Sequence, residues 1–314
     1  MKKILLSFLL LTSMLYCKEP EKEKSEYKYE PIFAGTLLAV FPNNIPPGNV
    51  LLEPYLFAGT TNGIYNSEWE HKQLFHFFDS QLLFLVETGI TSWLDISLTV
   101  NENYSVSKGR KSTHLGDTRM GLGFQITKSK PESAIPDFRI LLMESFPTGK
   151  YQHLDPRKHI ADVTGSGAFE TWIIAIIRKI IYFTPRQVIS LNFNLGYDIP
   201  SSVHVKGHNL YGGGTPKTNG SVHPGCQTLG NLGIEYSLTT NWILGLDVHY
   251  VHQNKSTSSH RDIHLPSSEE FSLAPCIEYN PSTHFGIEGG VWFSIAGRNN
   301  LIFNTGVLTL YWFF

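Results

Sequence analysis

Polar and apolar residues take turns along much of the chain. From residue 93 to 101, Asp95, Ser97, Thr99 and Asn101 alternate with Leu94, Ile96, Leu98 and Val100. The pattern returns where Asp117, Arg119, Gly121, Gly123, Gln125 and Thr127 oppose Thr118, Met120, Leu122, Phe124 and Ile126. It returns again with Ser190, Asn192, Asn194, Gly196 and Asp198 against Leu191, Phe193, Leu195 and Tyr197, and with Asn231, Gly233, Glu235 and Ser237 against Leu232, Ile234, Tyr236 and Leu238. A period of two places one set on each face of a strand. These runs exceed the roughly five or six residues of a soluble strand and suit the roughly nine to eleven of a tilted membrane strand.

A full pass predicts about twelve antiparallel strands near residues 49–58, 74–87, 93–104, 114–127, 137–146, 169–181, 187–199, 227–238, 241–251, 269–279, 284–296 and 301–314. Tight links at 88–92, 184–186, 239–240 and 280–283, with a moderate one at 128–136, alternate with longer loops at 59–73, 105–113, 147–168, 200–226 and 252–268. The link around 297–300 is the one short member of the second class. Short periplasmic turns opposite long outer loops are the habit of outer-membrane barrels, and an even strand number returns both ends to the periplasm.

Some strands break the pattern. Trp172-Ile173-Ile174-Ala175-Ile176-Ile177 is apolar on both sides, and residues 81–86 are similar. Such a strand packs against a plug, a loop folded into the lumen, or a neighbouring protomer. Pro54 inside the first strand predicts a bulge or a rim position, because proline cannot donate to the ladder.

The chain ends fit the same picture. Lys2 and Lys3 precede an apolar run from Ile4 to Leu15, the length of a signal-peptide core and too short to span a membrane. Cys17 resembles the cysteine of a lipoprotein box, but Tyr16 stands where a small residue is usual, so cleavage without lipidation around residues 15–18 is the preferred reading. The expected organisation is a signal peptide over 1–17, a polar leader and N-terminal periplasmic segment over 18–48, and an outer-membrane barrel over 49–314. In Leu308-Thr309-Leu310-Tyr311-Trp312-Phe313-Phe314, Leu310, Trp312 and Phe314 share the lipid-facing side with Leu308 and form the expected signal for the barrel assembly machinery.

Composition narrows the class. Charged residues are 17% of the chain and aromatic residues 13%, fewer charges than the roughly 25% of an ordinary soluble domain. After the signal no apolar run reaches helix-spanning length, so a chain that lives in lipid has only a closed barrel available. The net charge of −2 gives no indication of nucleic-acid binding.

Placing the polar sides inward gives a lumen of Asp95, Asp117, Asp198, Glu235, Asp247, Glu278 and Glu288 with Arg119 and Arg139. Two readings stand side by side. An acidic wall around a water-filled path favours cations, while carboxylates paired with arginines fill a narrow barrel without conducting anything. No catalytic residues are assigned: Ser259-His260 and Ser221-Val222-His223 are loop neighbours, and the His-x-Ser-Asn-Gly pattern of the phospholipase barrel is absent. His71, His153, His159, His204, His208, His223, His260 and His264 fall in predicted outer loops without metal-ligand spacing. Cys226 and Cys276 are expected to be free. Gly212-Gly213-Gly214 and Thr164-Gly165-Ser166-Gly167 are loop turns, lacking the strand, helix and lysine of a phosphate cradle. No metal or cofactor is expected.

The order of Gly35-Thr36-Leu37-Leu38, Gly48-Asn49-Val50, Glu53-Pro54-Tyr55, Thr88-Gly89-Ile90-Thr91, Gly116-Asp117, Phe146-Pro147-Thr148-Gly149-Lys150-Tyr151 and Thr164-Gly165-Ser166-Gly167 resembles the outer-membrane transporters named for the meta-pathway of phenol degradation. Leu210-Tyr211-Gly212-Gly213-Gly214 and Tyr236-Ser237-Leu238-Thr239 are similar to a little-characterised branch from intracellular bacteria. The resemblance spans roughly residues 33–314. It implies a barrel that moves small molecules, aromatic ones among them, and brings no catalytic residues with it. The expectation is a passive channel for aromatic or cationic solutes, with outer-membrane lipid and the assembly machinery as partners. The alternative is a non-transporting barrel whose long loops bind a surface partner.

Overall fold

The computed structural model describes residues 31–129, 134–158, 161–184, 186–212, 215–258 and 265–314. The expected signal peptide, Cys17 and the first part of the polar leader lie outside them. Among the described residues the strands are β1 (Val50–Tyr65), β2 (His71–Thr91), β3 (Leu94–Ser107), β4 (Arg110–Leu115), β5 (Thr118–Thr127), β6 (Asp137–Phe146), β7 (Glu170–Thr184), β8 (Gln187–Pro200), β9 (Val203–Lys206), β10 (Asn219–His223), β11 (Gln227–Ser237), β12 (Trp242–Gln253), β13 (Thr257–Ser258), β14 (Ser268–Ser282), β15 (Phe285–Arg298) and β16 (Asn300–Phe313). β4 and β5 both pair with β3 and are two halves of one strand broken at Gly116 and Asp117. Counting them once, twelve antiparallel strands form a ring, closed because β1 pairs with both β2 and β16. Closure leaves no unpaired sheet edge in lipid.

The outer face is apolar by the same alternation. Leu82, Phe84, Leu98, Val100, Leu122, Ile173, Leu195, Leu244, Ile277 and Leu308 are exposed along the middle of the wall. Aromatic side chains gather near the periplasmic turns, where Trp312 stacks on Phe314 and Trp242 lies against Tyr279. Others gather near the outer ends, where Tyr250 meets Phe271 and Phe78 meets Tyr104. These two belts flank an aliphatic band, the girdled profile of an outer-membrane barrel. Leu308 is 45% exposed in the middle of β16. Leu308→Arg is expected to destabilise the barrel by roughly 2–4 kcal/mol, measured by denaturant titration in a lipid bilayer; an unchanged midpoint would contradict this facing.

The strands depart from expectation in three places. The expected loops at 59–73 and 105–113 shrink to residues 66–70 and 108–109, because β1 to β4 continue beyond the apolar band through segments such as Gly59-Thr60-Thr61-Asn62, which have no apolar alternation to mark them as strand. Lys108 and Gly109 both have positive φ, as a two-residue hairpin turn requires. Pro54 makes neither a bulge nor a rim. The β1–β16 register is the same at Leu52↔Trp312 and Tyr55↔Thr309, so proline removes a rung without shifting the ladder, and its carbonyl still accepts the Thr309 hydroxyl at 3.0 Å. The shift in β1 lies instead between Thr61 and Gly63.

Outside the wall, β9, β10 and β13 form a small three-stranded sheet. Ala168, Val203, Val205, Tyr211 and Val222 give this cap its own apolar core. The Tyr211 hydroxyl donates to the Ser166 carbonyl at 2.7 Å, and burial pushes its phenol above the usual range.

Candidate functional site

Residues 31–48, expected as a periplasmic segment, run inside the barrel. The segment begins beside a periplasmic turn, where the Ile32 amide donates to the Thr240 carbonyl, and returns to another, where Gly48 donates to Gly89. Between these points it reaches the middle of the wall. Its backbone has no regular structure, so its amides must find partners elsewhere. The inward side chains supply them.

On one side, Ala34 N–H donates to Glu278 Oε1 at 3.0 Å and Gly35 N–H to Glu235 Oε1 at 3.0 Å. Asp247 accepts from the Thr36 hydroxyl at 2.6 Å, from Leu38 N–H at 3.1 Å and from Asn231 Nδ2 at 2.8 Å. Asn194 and Asn192 then hold the Val40 amide and carbonyl at 2.8 and 2.9 Å. Each such hydrogen bond contributes about 0.5–1.5 kcal/mol net, and a buried amide left without one costs about 1–3 kcal/mol. The backbone fits closely because the wall lacks a side chain where it passes: a methyl group at Gly233 would run into the Thr36 hydroxyl.

Across the lumen the descending limb meets an ion cluster. Arg139 Nη2 lies 2.7 Å from Glu87 Oε1 and 2.8 Å from Asp95 Oδ1, and Arg139 Nη1 donates to the Phe41 carbonyl at 2.7 Å. Asp95 also accepts Ile45 N–H at 3.2 Å, and Asn44 is held by Gln125 Oε1 and the Gly123 carbonyl. Gly123 leaves room for this cluster, since a methyl group there would collide with Asp95 and Arg139. Apolar contacts complete the seat. Leu37 packs in one cluster with Ala274, Cys276, Val307, Tyr55, Phe57 and Trp292, and Val40 packs with Trp172, Ile174 and Ile176. Of the partners open to the two-sided apolar strand, the one in place is this internal segment.

The inward carboxylates are therefore not a bare acidic wall: Asp95, Glu235, Asp247 and Glu278 accept donors from residues 34–45. Glu288 stands directly across from Glu278 on the neighbouring strand. Asp117 serves the outer loops, accepting Gly149 N–H and Ser166 N–H, each at 2.8 Å. Arg119 and Asp198 lie further out, near Ser145 and Glu170. Arg119 Nε, Ser145 Oγ and Asp198 Oδ1 have no hydrogen-bond partner among the described residues. Leu310 is half-buried, and Trp312 and Phe314 are 51% and 59% exposed on the lipid side.

Sequence reading missed several inward charges. Glu87 follows Leu83 and Leu85 on the inner face, where leucines hide its parity, and Glu53 sits beside Pro54. Asp137 opens β6 and pairs with Arg178 at 2.8 Å. Parity counted back from Leu141 would have found it.

Among the described residues no group of side chains is placed to hold a metal ion. His159, His260 and His264 lie outside them. Cys226 and Cys276 are free thiols.

No protein-family model matches this sequence, and no curated protein matches it significantly. Solved structures are similar in fold. The COG4313 outer membrane channel from Pseudomonas putida F1 superposes with a TM-score of 0.67 at 12% identity, over 87% of this chain and 97% of that one. Two further neighbours are more distant: the NanC porin, at 8% identity and TM-score 0.42 over 82% of this chain and 98% of its own, and a TodX monoaromatic hydrocarbon channel mutant, at 8% and 0.38 over 85% and 89%. The chain has the fold of an outer-membrane β-barrel, with its lumen occupied by its own N-terminal segment.

Proposed function

We propose that the protein is a passive outer-membrane channel, closed in this state by residues 31–48, whose solutes are small molecules carrying an aromatic face. One observation carries the reading: the segment in the path is no part of the wall, and where it crosses the middle it lays Leu37 and Leu38 on an aromatic strip. That strip is built from Tyr55 stacked on Phe57 (5.8 Å), Phe57 edge-on to Trp292 (6.5 Å), and Trp292 edge-on to Phe303 (4.8 Å). Beside it on β2 and β3, Gln81, Asn103 and Asn101 form a hydrogen-bonded amide row. A ring with a hydroxyl edge matches both surfaces. The similarity to outer-membrane channels and the resemblance to phenol-pathway transporters support the same direction.

The test is solute flux into liposomes. A small phenol is expected to enter faster than a sugar of similar size, and replacing Phe57 and Trp292 by Leu is expected to reduce that preference by a few-fold, up to about tenfold, the scale of the aromatic contacts removed. Flux of neither solute above that of empty liposomes, with or without residues 31–48, would rule out the channel. In that case the folded cap of β9, β10 and β13 favours the second reading, a barrel whose outer loops bind a surface partner.

A further inference from the structure

We propose that the β6–β7 loop, over its described residues 147–158 and 161–168, is a lid on the outer mouth and that Asp117 is its latch. The proposal rests on the channel reading for what the lid does, though not for how it is held.

The lid lies over the inside of the barrel. Ser105, buried on the inner face of β3, donates its hydroxyl to the Ala161 carbonyl, and Leu154, Ala161 and Asp162 are buried. It is also a unit in itself. Lys150 N–H donates to Thr164 Oγ1 at 2.9 Å and the Lys150 carbonyl accepts Thr164 N–H at 2.9 Å, while Lys150 Nζ pairs with Asp162 at 2.8 Å. On the cap side the lid is carried by Tyr211, whose hydroxyl holds the Ser166 carbonyl, and by Leu210, whose N–H donates to the Tyr151 carbonyl. Pro147 marks one end, and Gly167 with φ +76° marks the other, a conformation L residues rarely adopt.

On the strand side the attachment is different in kind. β4 and β5 part at Gly116 and Asp117, and the backbone groups freed there are taken by the lid. The Thr148 hydroxyl donates to the Gly116 carbonyl at 2.8 Å and the Thr164 hydroxyl to the Leu115 carbonyl at 2.7 Å. Both oxygens of Asp117 are used, Oδ1 by Gly149 N–H and Oδ2 by Ser166 N–H, so one carboxylate clasps the two limbs of the lid. These bonds sit at the outer rim, where water can replace them, unlike a ladder bond in lipid. An attachment made by one carboxylate and the hydroxyls of Ser105, Thr148 and Thr164, the second of which also accepts the Thr118 N–H at 2.9 Å, can open without breaking the barrel. It also gives a physical purpose to the Gly116-Asp117, Thr148-Gly149-Lys150 and Thr164-Gly165-Ser166 motifs, which meet here and nowhere else.

The test is Asp117→Asn. The amide keeps the shape but has one acceptor for two N–H donors, and its NH2 group must face one of them. Trypsin cleavage after Lys150, whose backbone is held on both sides in the closed lid, is expected to accelerate by about tenfold or more, with the heat-modifiable gel shift of the barrel intact. Cleavage at the parent rate in a folded variant overturns the latch. Should Asp117→Asn fail to fold, Thr148→Val with Thr164→Val removes the lid's own share of the attachment and must accelerate cleavage in the same way; parent-rate cleavage there overturns it too. In barrels lacking residues 31–48, Asp117→Asn is expected to raise the fraction of time the pore is open. Faster cleavage with an unchanged open fraction overturns the lid and leaves Asp117 a loop anchor. Faster cleavage in a barrel that never conducts upholds the latch and counts against the channel reading alone.

Discussion

A barrel lacking residues 31–48 is expected to conduct steadily in planar bilayers under conditions where the full-length protein is closed or opens briefly. The wall does not depend on the segment for closure, because the ring of strand pairings is complete without it. The segment does contribute to stability: burying side chains such as Leu37 and Ile45 is worth about 1.5–3 kcal/mol each, so the shortened protein should unfold at lower denaturant while remaining a barrel. Its removal exposes Glu53, Glu87, Asp95, Asp137, Glu235, Asp247, Glu278 and Glu288 to water, against Arg139 and Arg178 on the same inner face. Such a lumen should pass cations over anions by several-fold, and the preference should weaken as added salt screens the wall. The reversal potential across a KCl gradient measures it. Asp247→Asn in the full-length chain is a milder form of the same experiment, since all three partners of Asp247 are donors and an amide cannot accept from them all. It should raise the frequency of openings without the full conductance. A shortened barrel that is folded and silent would show that the segment is not what closes the path, and one that prefers anions would show that its carboxylates do not set the field.

The wall is legible in the sequence because a pleated strand in lipid has one dry face, and parity then sorts the residues of a strand into two sides. Alternation alone assigns Asp95, Arg139, Asp198 and Glu235, on four strands, to the polar side, and all four side chains are buried. The method fails where the two faces see similar surroundings. In the outer extension of β1, Gly59, Thr60, Thr61 and Asn62 carry no apolar side chain on either face, although Gly59 and Thr61 are buried, so the sequence there reads as loop; Leu83 and Leu85 make the inner face of β2 as apolar as the outer, which hides Glu87. The internal segment was beyond reach for another reason. Its partners lie as far away as Glu235 for Gly35 and Glu278 for Ala34, and they recognise backbone amides, which every sequence has. One trace of it was visible, the apolar inner face of Trp172, Ile174 and Ile176, which needed something to pack against.

Arg139→Met is expected to be the most damaging single change in the wall. Arg139 is 1% exposed, with Glu87 and Asp95 both within 2.8 Å of its guanidinium and no second cation bonded to either carboxylate among the described residues. Breaking a buried ion pair by removing one partner costs about 3–5 kcal/mol, mostly because the other charge is left without compensation. Two carboxylates are left here, so the expected loss lies at the upper end. Methionine fills much of the volume, which separates the electrostatic effect from a cavity. Adding Glu87→Gln and Asp95→Asn should restore most of the stability, since neutral amides in the same places require no counter-charge. The Phe41 carbonyl also loses its donor, a bond to a charged group worth about 1.5–3 kcal/mol, and this part of the effect belongs to the internal segment. Combining Arg139→Met with removal of residues 31–48 should therefore cost less than the two changes added together, by about that amount. Denaturant titration of the four proteins measures the difference. Strict additivity would mean that the Arg139 to Phe41 bond does not couple the wall to the segment it encloses.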